Sequence, residues 1–193
     1  MYKKQMILQR ITSFLLLAAA ALVFIYSLGI MTDLYDSFYF VSSFKETHRN
    51  YVEGARIYRD MQTFNQDLTT AGIALILTAV ALFVFRTNDR RKYYIANYIT
   101  IGINAIANVA VSIWALTNVF AYKAQFLLVD FDKLSQIADV YKISYTTSTF
   151  WFDAAWFVFI FVIIATALSI CNLIWKIVLM RTEHKLIEEG KEA

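Results

Sequence analysis

The stretch AAWFVFIFVIIATALSICNLIW (154–175) holds 22 residues without a charge and is closed off by Asp153 before it and Lys176 after it. A hydrocarbon core about 30 Å thick needs about 20 helical residues at roughly 1.5 Å each. Three further stretches read the same way: 11–32 between Arg10 and Asp33, 68–85 between Asp67 and Arg86, and 93–122 between Lys92 and Lys123. Backbone in lipid must satisfy its own hydrogen bonds, which leaves helices or a closed barrel. The apolar runs are continuous and do not alternate, so the barrel is excluded. The fold class expected is all-α: an antiparallel four-helix transmembrane bundle, with spans at about 11–32, 68–85, 95–120 and 152–176. A single membrane domain then occupies 1–193, with long loops at 33–67 and 121–151, a short loop at 86–94 and a tail at 177–193.

Charge orients these spans. Lys3, Lys4 and Arg10 precede the first one without an acid, and the short loop carries Arg86, Arg90, Arg91 and Lys92 against Asp89. The loop 33–67 sets Lys45, Arg49, Arg56 and Arg59 against six acids, and the segment 123–153 sets three lysines against four. Lys and Arg collect on cytoplasmic flanks. The expectation is a multi-pass plasma-membrane protein with both termini and the short loop cytoplasmic. The basic clusters then touch anionic membrane lipid; nucleic acid is not an expected partner. A secretory signal is the competing reading of the N-terminus, given Ala18 to Ala21, but the apolar run continues to full spanning length, which favours an uncleaved first span.

Composition narrows the chemistry. One cysteine, Cys171, allows no intrachain disulfide and no paired-thiol redox site. His48 and His184 are far apart, and no metal or other cofactor is expected. There is no Gly-rich phosphate loop, no G-x-S-x-G and no H-E-x-x-H, so no catalytic residue is assigned and an enzyme is not expected. The chain has no proline and five glycines, which points to continuous helices.

The long loops are patterned. Tyr51, Ala55, Tyr58, Met61, Asn65 and Leu68 recur at three- and four-residue spacing, predicting an amphipathic helix that runs into the second span. Phe131, Leu134, Ile137, Ala138 and Tyr141 predict a second amphipathic helix. Both are expected to lie on the membrane surface or cap the bundle, or to present an outer docking face, and these roles are compatible. Tyr93, Tyr94, Tyr98 and Trp175 on one side, and Tyr122, Phe150, Trp151, Phe152 and Trp156 on the other, suit the two headgroup levels. The mixed charges after Arg181 read as a solvated helix continuing the last span.

Within the membrane the strongest polar signal is Asn97, Asn104, Asn108 and Ser112, spaced seven, four and four along one face of the third span. Primary amides are costly in hydrocarbon unless paired. This face is therefore a candidate interhelical or partner face, with a permeation path as the other option. A second stripe, Ala165, Ser169, Asn172 and Lys176 with Thr166 alongside, suits close helix packing. Cys171 beside it reads as a small buried residue, and Asp153 reads as a cap at a helix start.

The segments YSLGIMTDLYD (26–36), TFNQDLTT (63–70), STFWFDA (148–154) and NLIWKIVLM (172–180) resemble an uncharacterised family of small four-span Gram-positive bacterial membrane proteins. Such proteins accompany carbohydrate ABC importers. The resemblance implies a non-catalytic accessory or scaffolding subunit with transporter permease subunits as partners, and it carries over no site residue. The alternative is a self-assembling channel or small transporter whose asparagine faces line a path.

Overall fold

The computed structural model describes residues 2–34, 39–86, 94–142 and 145–192, the side chains at 2–3, 31–34, 85–86, 94–97, 183–189 and 191–192 excepted. Among the described residues there are five helices, α1 (Tyr2–Leu34), α2 (Ile57–Arg86), α3 (Tyr94–Phe126), α4 (Phe131–Tyr141) and α5 (Phe150–Glu192), with one 3-10 turn at Val41–Ser43. No strand occurs among the described residues. Four of the helices are long and apolar enough to cross a membrane, over Lys4–Ile30, Ile57–Val84, Tyr98–Phe126 and Phe150–Thr182. At about 1.5 Å per residue, the 33 residues of α1 extend for roughly 50 Å, well beyond a hydrocarbon core.

These four helices form an antiparallel ring. The helix α1 packs on α2 and α5, and α3 closes the ring by packing on the same two. Side-chain pairs set the register. Phe120 and Trp156 meet with ring centroids 5.1 Å apart, Lys123 pairs with Asp153 at 2.5 Å, and the Tyr98 hydroxyl reaches Met180 Sδ. Across the α1–α2 seam Phe14 meets Phe83 at 4.9 Å, and Thr69 Oγ1 donates to Ser27 Oγ at 3.1 Å.

The ring is apolar outside and partly polar within, the reverse of a protein in water. Leu77, Ile106, Ile113 and Phe157 are exposed on its outer surface. Such an apolar girdle, on four helices long enough to span a bilayer, fits a multi-pass membrane protein. Inside, the half of the bundle next to the long loops is filled by Val23, Tyr26, Phe126, Phe152 and Phe159. The half next to the two termini is where the polar residues gather. The two halves are called here the cap end and the terminal end.

The cap is built from both long loops. Asp130 caps α4 by accepting from Lys133 N at 3.0 Å, and Lys142 ends it in a left-handed conformation at φ 54°. Leu134, Ile137 and Ala138 turn the buried face of α4 toward the core. Asp130 N donates to Glu53 O at 3.1 Å, Phe40 meets Tyr141 at 5.3 Å, and the Gly54 backbone lies against Leu128 and Val129. The two loops therefore close on each other over one end of the ring.

Several local expectations are corrected. The first amphipathic helix begins at Ile57 rather than Tyr51, because residues 53–56 form turns around Gly54 at φ 78°. Its stripe is nonetheless buried at Ala55, Tyr58, Met61, Asn65 and Leu68, so it forms the opening turns of α2. Cys171 is exposed, not buried. Asn172 takes the interior position, and the next residue on a helix lies about 100° round. Asp153 stands in the first turn of α5, where negative charge is favoured. Its oxygens accept from Lys123 Nζ and Thr149 Oγ1, so it ties α3 to α5 rather than acting as an N-cap. The short connection at 87–93 lies outside the described residues.

At the observed register, Tyr94 of α3 stands level with about residue 182 of α5. The backbone of α5 then continues for about ten residues, roughly 15 Å, beyond the level of Tyr94.

Candidate functional site

All four ring helices contribute polar side chains to the interior of the terminal end. From α3 come Asn104, Asn108 and Ser112, each buried. Asn104 Nδ2 donates to Thr78 Oγ1 of α2 at 2.9 Å, and Asn108 Nδ2 donates to Asn104 Oδ1 at 3.0 Å. Ser112 Oγ closes onto Asn108 O one turn back, at 2.7 Å. Three of the four residues singled out on this helix thus form one buried chain of hydrogen bonds that crosses a single helix seam. The fourth, Asn97, has its side chain outside the described residues.

The second stripe lies inside too. Thr166, Ser169, Asn172 and Lys176 of α5 are all buried. Thr166 Oγ1 returns to Val162 O at 2.8 Å, which spends its hydroxyl on its own helix. Asn172 and Lys176 instead look across to α1.

Sequence reasoning missed what they meet there. Gln5, Gln9, Thr12 and Ser13 form a buried polar face on α1. Gln5 Nε2 donates to Asn172 Oδ1 and to Gln9 Oε1, each at 3.3 Å, and Lys176 Nζ donates to Gln9 Oε1 at 3.4 Å. Thr12 and Ser13 hydroxyls return to Gln9 O. The signal was available as the four- and three-residue spacing Gln5, Gln9, Thr12. It straddles Arg10, so a reading organised by charge-free runs passes over it.

Lys176 both closes the last charge-free run and belongs to its small and polar stripe. Its backbone is near the boundary of the span, but its side chain turns into the bundle and is only 6% exposed. The ammonium lies 6.0 Å from the centre of the Tyr98 ring, within reach of a cation–π attraction. It is the one charged side chain among the buried described residues. An ionisable group inside a membrane bundle is costly, and that cost is tolerated where the group meets amides, rings or a ligand.

The arrangement offers amides, hydroxyls and one ammonium. It can bind and orient a polar group, but it holds no nucleophile paired with a base. No cluster of three His, Cys, Asp or Glu side chains able to hold a metal ion occurs among the described residues. At the cap end, Asn65 and the Tyr26 hydroxyl are buried without a hydrogen-bond partner among those residues. Outside the ring, a groove of about 910 Å³ in the cap is lined by Phe44, Lys45, Glu46, Tyr51, Arg56 and Arg59 among others. Its charges are of both signs, and its Arg56–Asp60 pair at 3.3 Å is exposed, which makes it worth little.

The asparagine chain makes a testable prediction. Asn104→Leu removes the acceptor of Asn108 Nδ2 and should cost about 1–3 kcal/mol, the penalty for a stranded buried donor. Adding Asn108→Leu removes the stranded amide, so the double variant should recover part of that loss while remaining below the native protein. Unfolding midpoints in one detergent measure both, and strictly additive losses would sink the pairing. No known protein family, curated protein or solved structure matches the chain.

Proposed function

We propose that this chain is a non-catalytic accessory or scaffolding subunit of a larger plasma-membrane complex, a carbohydrate importer by the resemblance of its segments, with transporter permease subunits as partners. The observation that carries this reading is the closed interior. The cap-end half of the ring is plugged by Tyr26, Phe126, Phe152 and Phe159, each at most 2% exposed. The asparagines at the terminal end are engaged inside one chain, Asn104 with Thr78 and Asn108 with Asn104. A channel made by copies turning their asparagine faces to a shared pore needs those faces on the outside. What is left to offer a partner is the apolar flank of the ring, the folded cap and the projecting end of α5.

In this reading both termini lie in the cytoplasm, as the basic flanks favour, and the cap lies outside. The test is gentle-detergent purification of a C-terminally tagged chain from native membranes. Importer permeases should co-elute, and the tag should resist protease added to intact cells. A symmetric homo-oligomer that conducts solute when reconstituted alone would overturn the accessory role.

A further inference from the structure

The geometry points to a binding site for a phosphate-class anion at the terminal end of the bundle, formed by Gln5, Gln9, Tyr98, Asn172 and Lys176. Three helices bring these residues together. The cluster lies near the membrane boundary, since Gln5 stands at the start of the apolar stretch Lys4–Ile30 of α1. That places it within a turn or so of the headgroup layer.

Three independent features of the cluster point to a ligand. First, it holds an ammonium, because Lys176 is the charged side chain among the buried described residues. Second, three hydrogen bonds across it are long. Gln5 to Gln9 and Gln5 to Asn172 each measure 3.3 Å, and Lys176 to Gln9 measures 3.4 Å. Amide donors settle at about 2.9–3.0 Å, and charged donors come closer still. Third, Gln5 Oε1 is buried with no hydrogen-bond partner among the described residues, in a side chain that is 0% exposed. An unpaired buried acceptor is unusual enough to require an explanation.

An ammonium and amide N–H groups beside a free acceptor suit a group that presents anionic oxygens together with a hydroxyl. A phosphate does so as the free monoanion, and so does a phospholipid headgroup that joins a phosphodiester to a hydroxyl. The anionic oxygens would accept from Lys176 Nζ and from the amide nitrogens, and the hydroxyl would donate to Gln5 Oε1. Lys4, exposed one residue before Gln5, offers a cation at the entrance.

The experiment uses the full chain in nanodiscs of phosphatidylcholine, with and without 10 mol % phosphatidylglycerol (about one lipid in ten). Native mass spectrometry counts retained lipid, and thermal melting reports stabilisation. Phosphatidylglycerol should be retained and should raise the melting temperature. Lys176→Met should lower retention about tenfold, a change equivalent to one good charge-assisted contact. Lys176→Arg should keep it, and Lys4→Met should leave it nearly unchanged. Inorganic phosphate, titrated into phosphatidylcholine discs, separates the two sources. Stabilisation by phosphate that is lost in Lys176→Met assigns the site to a soluble anion. Equal retention in the native chain and a folded Lys176→Met, with no response to phosphate, would overturn the site. Should Lys176→Met fail to fold, Gln5→Leu carries the comparison, and undiminished anion binding there would overturn it as well.

Discussion

Replacing Gly54 by alanine should detach the cap from the bundle. Two costs coincide at this residue. Its φ of 78° lies in the left-handed region, where a side chain costs about 1–2 kcal/mol. A Cβ there would also come within 2.8 Å of both Leu128 O and Val129 Cα. Those atoms are backbone, so no rotamer change relieves the collision, and forced overpacking adds about 1–3 kcal/mol. Together the loss is about 2–5 kcal/mol, comparable with the whole stability of a small substructure. The Asp130 N to Glu53 O bond, one residue away, should open with it. Hydrogen exchange and limited proteolysis should show 127–141 losing protection while the ring helices keep theirs. Gly54→Asn separates the causes, because asparagine tolerates the left-handed backbone but still carries a Cβ. If Gly54→Asn behaves as the native chain does, the close approach is not what holds the cap.

Gly72→Leu should separate α1 from α2. A Cβ at Gly72 would stand 3.0 Å from Phe24 Cα, 3.2 Å from Phe24 N and 3.3 Å from Phe24 Cβ. Alanine requires the neighbouring backbone to yield by a few tenths of an ångström. Its better helix propensity, worth about 0.8–1.0 kcal/mol over glycine, offsets much of that strain. Leucine adds three more carbons in the same seam and has nowhere to place them. The expected loss is about 1–3 kcal/mol or more, with the Ser27–Thr69 bond one turn away broken. Detergent melting should rank native and Gly72→Ala close together and Gly72→Leu well below. An unchanged Gly72→Leu would mean that the helices do not meet at this register.

What the sequence determined by itself is the number of helices, their apolar character and the face that α3 turns inward. Those follow from one-dimensional properties: the length of a charge-free run, the bilayer's demand that backbone bonds close locally, and the spacing of Asn104, Asn108 and Ser112 on a helix of about 3.6 residues per turn. The stripe of α4 was legible for the same reason, because a half-buried helix writes its burial into its own periodicity.

Only the tertiary structure decided which polar groups meet. Gln9 and Lys176 are 167 residues apart and become neighbours because α1 and α5 close the ring side by side. Nothing in either segment announces that pairing, and α1 in particular shows no dominant apolar face to orient it. The start of α2 was likewise decided at a distance, since the turns around Gly54 pack against Leu128 and Val129 from the other loop. Cys171 and Asn172 differ by a single step along α5. Which of them faces the interior depends on how the whole helix is rotated in the ring, a quantity set by its neighbours and not by the residues themselves.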